Sequence, residues 1–134
     1  MPRRSDPKPD AYRPYVSARA PGGRPNHKPI YRVLVHRQFL NEWNSIADRV
    51  GIDSAKQFWE HVAIRPGEIP KVGTTTILRG KHNGPKWPGY SRTIHYEISG
   101  AGRIDYQFAN ATNEGAQNDS HPVVKILTID FDSH

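Results

Sequence analysis

The sequence predicts an α+β domain: a helical hairpin packed on one face of an antiparallel β-sheet, in the order β-α-α-β-β-β-β. Three observations lead there. A β-rich run opens the ordered part at 31–37. Two stretches with apolar residues at helical spacing follow it. Four more β-type runs, broken by Gly, Pro and Asn turns, complete the chain. The length of 134 residues fits one domain. There are no cysteines, which excludes disulfides and Cys-based zinc sites. No apolar run reaches the length of a membrane span, and the basic N-terminus has no apolar core of a secretory signal.

Residues 1–29 hold seven of the twelve prolines and the run AlaProGlyGlyArgPro, so a disordered basic tail is expected there, with the folded domain spanning 30–134. In 31–37, Tyr31, Val33 and Val35 alternate as on a strand. Phe39, Trp43, Ile46, Ala47 and Val50 mark the first helix, and Gly51 supplies its stop. Asp53 or Ser54 is the expected cap of the second, whose stripe is Ala55, Phe58, Trp59 and Val62; ArgProGly at 65–67 ends it. Strands are expected at 74–80, 90–99, 103–110 and 123–131. GlyAlaGly at 100–102 is the expected tight turn, and the polar stretch 111–122 a loop. Leu127, Ile129 and Phe131 alternate on the last strand.

The net charge of +6 is uneven: residues 1–30 contribute +5 and the remainder +1. Placement therefore matters more than the total. From Arg79 to Arg103 there are five basic residues, Arg79, Lys81, Lys86, Arg92 and Arg103, against the single acid Glu97. Arg79, Lys81, Arg92 and Arg103 sit at strand ends, where pairing strands can gather them over a small area that attracts a phosphate backbone. Alternation turns Arg79 and Lys81 to the open face and Leu78 to the helices. It makes Ile104, Tyr106 and Phe108 core residues, with Arg103, Asp105 and Gln107 outward. On 90–99 one face carries Tyr90, Arg92, Ile94, Tyr96 and Ile98, the other Ser91, Thr93, His95 and Glu97; which is core stays open.

Metal-free RNA cleavage needs a base for the ribose hydroxyl, a cation for the phosphoryl oxygens and an acid for the leaving oxygen. Arg79, Lys81, Arg92 and Arg103 are the candidate cations, with Arg103 in the transition-state role. His95, His134, His82, Tyr96 or a carboxylate could carry the proton, with His95 and His134 put first because unshifted histidine titrates near neutrality. Lys86, His82, Tyr96 and Tyr106 are candidate RNA contacts. The seven histidines lack metal-binding spacing, so no metal and no cofactor is expected.

LeuArgGlyLys (78–81), GlyTyrSerArg (89–92) and ArgIleAspTyr (103–106) follow one another in an order and spacing that resembles the RelE/ParE superfamily of toxin–antitoxin toxins, closest to its RelE and YoeB branches. The resemblance covers about 31–134. It implies a RelE-like fold and a cytoplasmic, ribosome-dependent endoribonuclease that cuts messenger RNA and stops translation, with a cognate antitoxin, the ribosome and mRNA as partners and no membrane. By position it assigns Arg79 and Lys81 to the basic strand end, Arg92 to the arginine after Tyr-Ser, Arg103 to the arginine before apolar-X-Tyr, and His134 to the C-terminal histidine. The loop 81–88 lacks the carboxylate base found in YoeB-like members, leaving His82 or Lys81 as substitutes. The alternatives are a ParE-like gyrase-inhibiting toxin and a non-catalytic RNA- or protein-binding module.

Overall fold

The computed structural model describes residues 14–69, 75–100, 102–112 and 121–131. Among them, six strands form one mixed sheet beside a few helices, an α+β architecture. The strands are β1 (Tyr15–Ser17), β2 (Arg32–His36), β3 (Thr75–Ile77), β4 (Ile94–Ile98), β5 (Gly102–Thr112) and β6 (His121–Asp130), in the spatial order β1-β2-β6-β5-β4-β3. The sheet is not wholly antiparallel as expected, because β2 and β6 run parallel, with Arg32 opposite Val123 and Val35 opposite Ile126. Parallel neighbours need a long crossover. Here it contains the helices and the β3–β4–β5 meander. Val33, Leu34 and Val35 are all buried, so β2 is covered on both faces.

The expected helical hairpin forms on one face. Its first arm is broken at Ser45 into α1 (Leu40–Asn44) and α2 (Ile46–Val50); its second is α3 (Ile52–Ile64). Gly51 takes φ 93°, a left-handed value that a side chain resists, and joins the arms directly. Neither Asp53 nor Ser54 caps α3, which already starts at Ile52. Trp43, Ile46, Phe58, Trp59 and Val62 pack on Val33, Val35, Ile94, Tyr96, Ile98, Ile104, Tyr106, Val124 and Ile126 to make the main core. Burying such side chains stabilises by about 1.5–3 kcal/mol each, which is why this face decides the fold.

Within the expected tail, β1 joins the sheet. Tyr15 of β1 is 8% exposed and pairs opposite His36. The Trp43 indole N–H donates to the Arg19 carbonyl at 2.7 Å. Gly22 lies so close to α3 that a Cβ there would stand 3.0 Å from Lys56 Cγ and 3.3 Å from the Ile52 carbonyl. A Pro-rich segment thus gains order by strapping across a helix. Residues 1–13 lie outside the described residues.

Strand limits also differ. The expected strand 74–80 is reduced to Thr75–Ile77, and 90–99 to Ile94–Ile98. β5 runs on to Thr112, and β6 starts at His121, so part of the expected 111–122 loop is strand. Ile98 pairs with Gly102, so Gly102 belongs to β5 and not to the turn expected at 100–102. Gly102 is required beneath Phe131, whose Cδ1 would be 2.5 Å from a Cβ. The register between β5 and β6 shifts at Asp105/Tyr106, where Thr128 faces Asp105 but Ile126 faces Tyr106. Leu127 is the extra residue of this bulge. It leaves the expected face of Ile129 and Phe131 and joins a second cluster on the far side of the sheet.

Candidate catalytic face

The sheet face away from the helices has two halves. Over β2 and β6 it is sealed: Tyr15, Leu34, Val123 and Leu127 cluster there, with Trp87 packed on them. Over β4, the start of β5 and the end of β6 it is open, and a hollow of about 340 Å³ is lined by Leu78, His95, Arg103, Asp105, Thr128 and Asp130.

The hairpin register builds the hollow. Cross-strand pairing sets His95 against Asp105 and Glu97 against Arg103, while Arg103 faces Asp130 on β6. His95 Nδ1 lies 2.7 Å from Asp105 Oδ1, and both side chains are mostly buried, at 17% and 27% exposure. A carboxylate can only accept, so Nδ1 carries a proton, and whenever the ring is neutral its lone pair lies on Nε2. That is the arrangement of an oriented general base. Arg103 is exposed on the same face. The group combines a base, its orienting carboxylate and a guanidinium able to give parallel hydrogen bonds to a phosphate.

The expected residues divide. His95 and Arg103 are brought together. Arg92 is not with them: its Nε donates to the Leu78 carbonyl at 3.0 Å, and a terminal nitrogen donates to the Gly80 carbonyl. It lines a different, apolar depression with Ile77, Ile94 and Phe108, so the open choice on β4 resolves with Arg92 on the core side. Its expected role was to hold phosphate; in the structure its side chain staples the main chain. Leu78, expected to face the helices, lines the hollow instead, because the alternation of β3 starts from buried Thr75.

Tyr96 and Tyr106, the expected RNA contacts, stand in the core. Tyr96 is 5% exposed and meets Phe58 edge-on at 5.0 Å. Tyr106 is wholly buried; its hydroxyl donates to the Pro66 carbonyl at 2.5 Å and receives a hydrogen bond from His61 Nε2 at 2.9 Å. Burial, with Tyr96 adding to it, pushes the Tyr106 phenol far up. Burial lowers His61 to about 4, Arg65 adding to and Glu68 opposing the shift. Large aromatics in this stretch serve the core because the sheet has one helix-covered face to fill.

Arg79, Lys81, His82 and Lys86 are exposed on the β3–β4 connection, apart from the His95 pair. His134 lies outside the described residues. Among the described residues, no group of three or more His, Cys, Asp or Glu could hold a metal ion. No helix among them is long and apolar enough to cross a membrane.

Sequence reasoning placed Asp105 on the outward face but gave it no role. Counting outward from the expected 100–102 turn pairs Asp105 with Glu97; the observed pairing of Ile98 with Gly102 sets it against His95 instead. Gln107 and Lys125 were missed as well. Gln107 is wholly buried and Lys125 is 1% exposed, both on the face expected to be open. No family model, curated protein or solved structure matches the chain.

Proposed function

We propose that this chain is a metal-independent endoribonuclease with a RelE-like fold, acting on messenger RNA as a translation-inhibiting toxin. The observation that carries the reading is the His95–Asp105 pair at 2.7 Å in a hollow shared with Arg103. His95 Nε2 takes the proton of a ribose 2′-hydroxyl. The oxygen attacks the adjacent phosphorus, a 2′,3′-cyclic phosphate forms, and the 5′-oxygen leaves with a proton from solvent. Arg103 stabilises the charge that develops on the non-bridging oxygens. The order of a strand, a helical hairpin and a β3–β4–β5–β6 run agrees with the fold implied by the sequence motifs. An antitoxin that covers the bare half, and the ribosome as the platform for cleavage, belong to the same proposal.

The test is cleavage of a defined messenger RNA, free and on programmed ribosomes, with a chelator present. His95→Ala and Arg103→Ala are each expected to lower the rate about a hundredfold, equivalent to roughly 3 kcal/mol, with unchanged circular dichroism. Wild-type activity in either folded variant would remove that residue from the mechanism.

One observation favours a second reading, a non-catalytic protein-binding module. Arg103 shares its face with the carboxylates Glu97, Asp105 and Asp130, and Arg92 is withdrawn. A face so rich in acid suits a basic protein segment. Wild-type protein that cuts no RNA but binds such a segment through Glu97 would favour it.

A further inference from the structure

The β3–β4 connection is exposed and basic, yet its main chain is held from below. Arg79, Lys81, His82 and Lys86 project from it, with no acid between Arg79 and Lys86. The Gln107 side chain reaches up from β5. Its Oε1 accepts from the Lys86 N–H at 2.9 Å, and its Nε2 donates to the Gly84 carbonyl at 2.9 Å and to Thr93 Oγ1 at 3.1 Å. Every hydrogen-bonding direction of one wholly buried amide but a single acceptor lone pair is thereby used. Directly across on β6, Lys125 places its Nζ 3.9 Å from the Trp87 ring centre, 5.0 Å from that of Tyr90 and 5.4 Å from that of Tyr15. Asn83 closes the connection from within: its Nδ2 donates to the Arg79 carbonyl at 2.8 Å, and its own carbonyl accepts from the Thr93 N–H at 2.9 Å.

Buried polar and cationic side chains cost free energy to place, and here they are spent on a surface loop. A loop that merely connects two strands requires no such anchoring. The hold fixes the main chain that carries four basic side chains, and its Gln107 anchor lies one alternation along β5 from Asp105. We propose that Gln107 and Lys125 are positioning residues that hold residues 79–87 as a preformed cationic grip for the RNA backbone. The grip touches phosphates; Gln107 and Lys125 act only through it. The proposal rests on the RNA reading above and names the substrate-holding element of that site. Preorganisation cuts the ordering entropy lost on binding, so its removal weakens affinity and leaves the chemical step alone.

The test uses the full chain and a labelled single-stranded RNA of about ten nucleotides, the size a short basic groove tracks. Amide hydrogen exchange of residues 81–90 is followed alongside RNA binding over a range of salt. Gln107→Glu keeps the volume but cannot donate to Gly84. It is expected to speed exchange of the loop about tenfold, raise Kd about fivefold, flatten the salt dependence and leave kcat at saturating RNA unchanged. Lys125→Met, which keeps the stem and removes the cation, is expected to do the same at Trp87 and stands in if the first variant fails to fold. The Lys81→Ala, Lys86→Ala double variant is expected to weaken binding without faster exchange. Unchanged loop exchange in a folded Gln107→Glu or Lys125→Met protein overturns the proposal, as does a loss confined to kcat. Wild-type protein that binds RNA but never cuts it leaves the grip standing and removes the nuclease reading. Wild-type protein that binds no RNA overturns the grip.

Discussion

The two halves of the helix-free sheet face differ in what they do with charge. The half over β2 and β6 buries the cation Lys125 among aromatic rings and covers it with Tyr15 and Trp87. The half over β4 and β5 leaves Arg103 in water and pairs His95 with Asp105. The strands are shared; the cover is not. A charge under an aromatic lid is an anchor, since its interactions are fixed and dry. A charge in a hollow can exchange its partners for a ligand's. The same basic residue type is therefore structural in one half and a candidate for chemistry in the other.

The largest effect that tests this contrast comes from removing the lid. Deleting residues 1–28 takes away β1 and the strap over α3. The melting temperature is expected to fall by roughly 10 °C or more. Tyr15→Ala alone is expected to cost about 3 kcal/mol, measured by urea unfolding, because it empties a buried aromatic site. An unchanged midpoint would show that the sealed half does not depend on its cover.

The next contrast is between two arginines. Arg92→Ala removes the side-chain donor to the Leu78 carbonyl and one of the two donors to the Gly80 carbonyl, the other being the Asn83 N–H. The expected loss is about 2 kcal/mol of stability. Arg103→Ala is expected to leave stability within about 0.5 kcal/mol of wild type while removing activity. Equal destabilisation by the two would erase the distinction between anchor and site.

The smallest effect is confined to acid. The unfolded chain binds a proton at His61 near pH 6.5, whereas the folded chain does so only near 4. Stability is therefore expected to fall as the pH drops from about 6.5 towards 4, and the His61 share of that fall to level off below it. His61→Gln should flatten this part of the melting-temperature profile. A variant with the wild-type profile would place the acid sensitivity elsewhere.

Much of the helix-covered side was legible in the sequence. The stripe Trp43–Ile46 and the stripe Ala55, Phe58, Trp59, Val62 predicted the helical hairpin, because a period near 3.6 has one structural meaning. The alternation of Ile104 and Tyr106 predicted the inward face of β5, and so turned Arg103 and Asp105 outward. The five expected strands are present, with shifted ends.

The rest was decided by contacts distant in sequence. Alternation separates two faces but cannot say which is buried when both carry apolar residues, so the side taken by Arg92 and Leu78 waited for the pairing of β3 with β4. A bulge shifts register by one residue, and one residue reverses every later side chain, which is how Leu127 left the face of Ile129. A Pro-rich leader reads as disorder because it lacks a core of its own; it is ordered here because β2 and α3 supply one. From residue 31 onward the sequence by itself determined the inventory of helices, strands and turns, since those follow from local spacing. Only the tertiary structure decided the parallel β2–β6 pair, the burial of Lys125 and the meeting of His95 with Asp105, since each depends on which strands become neighbours.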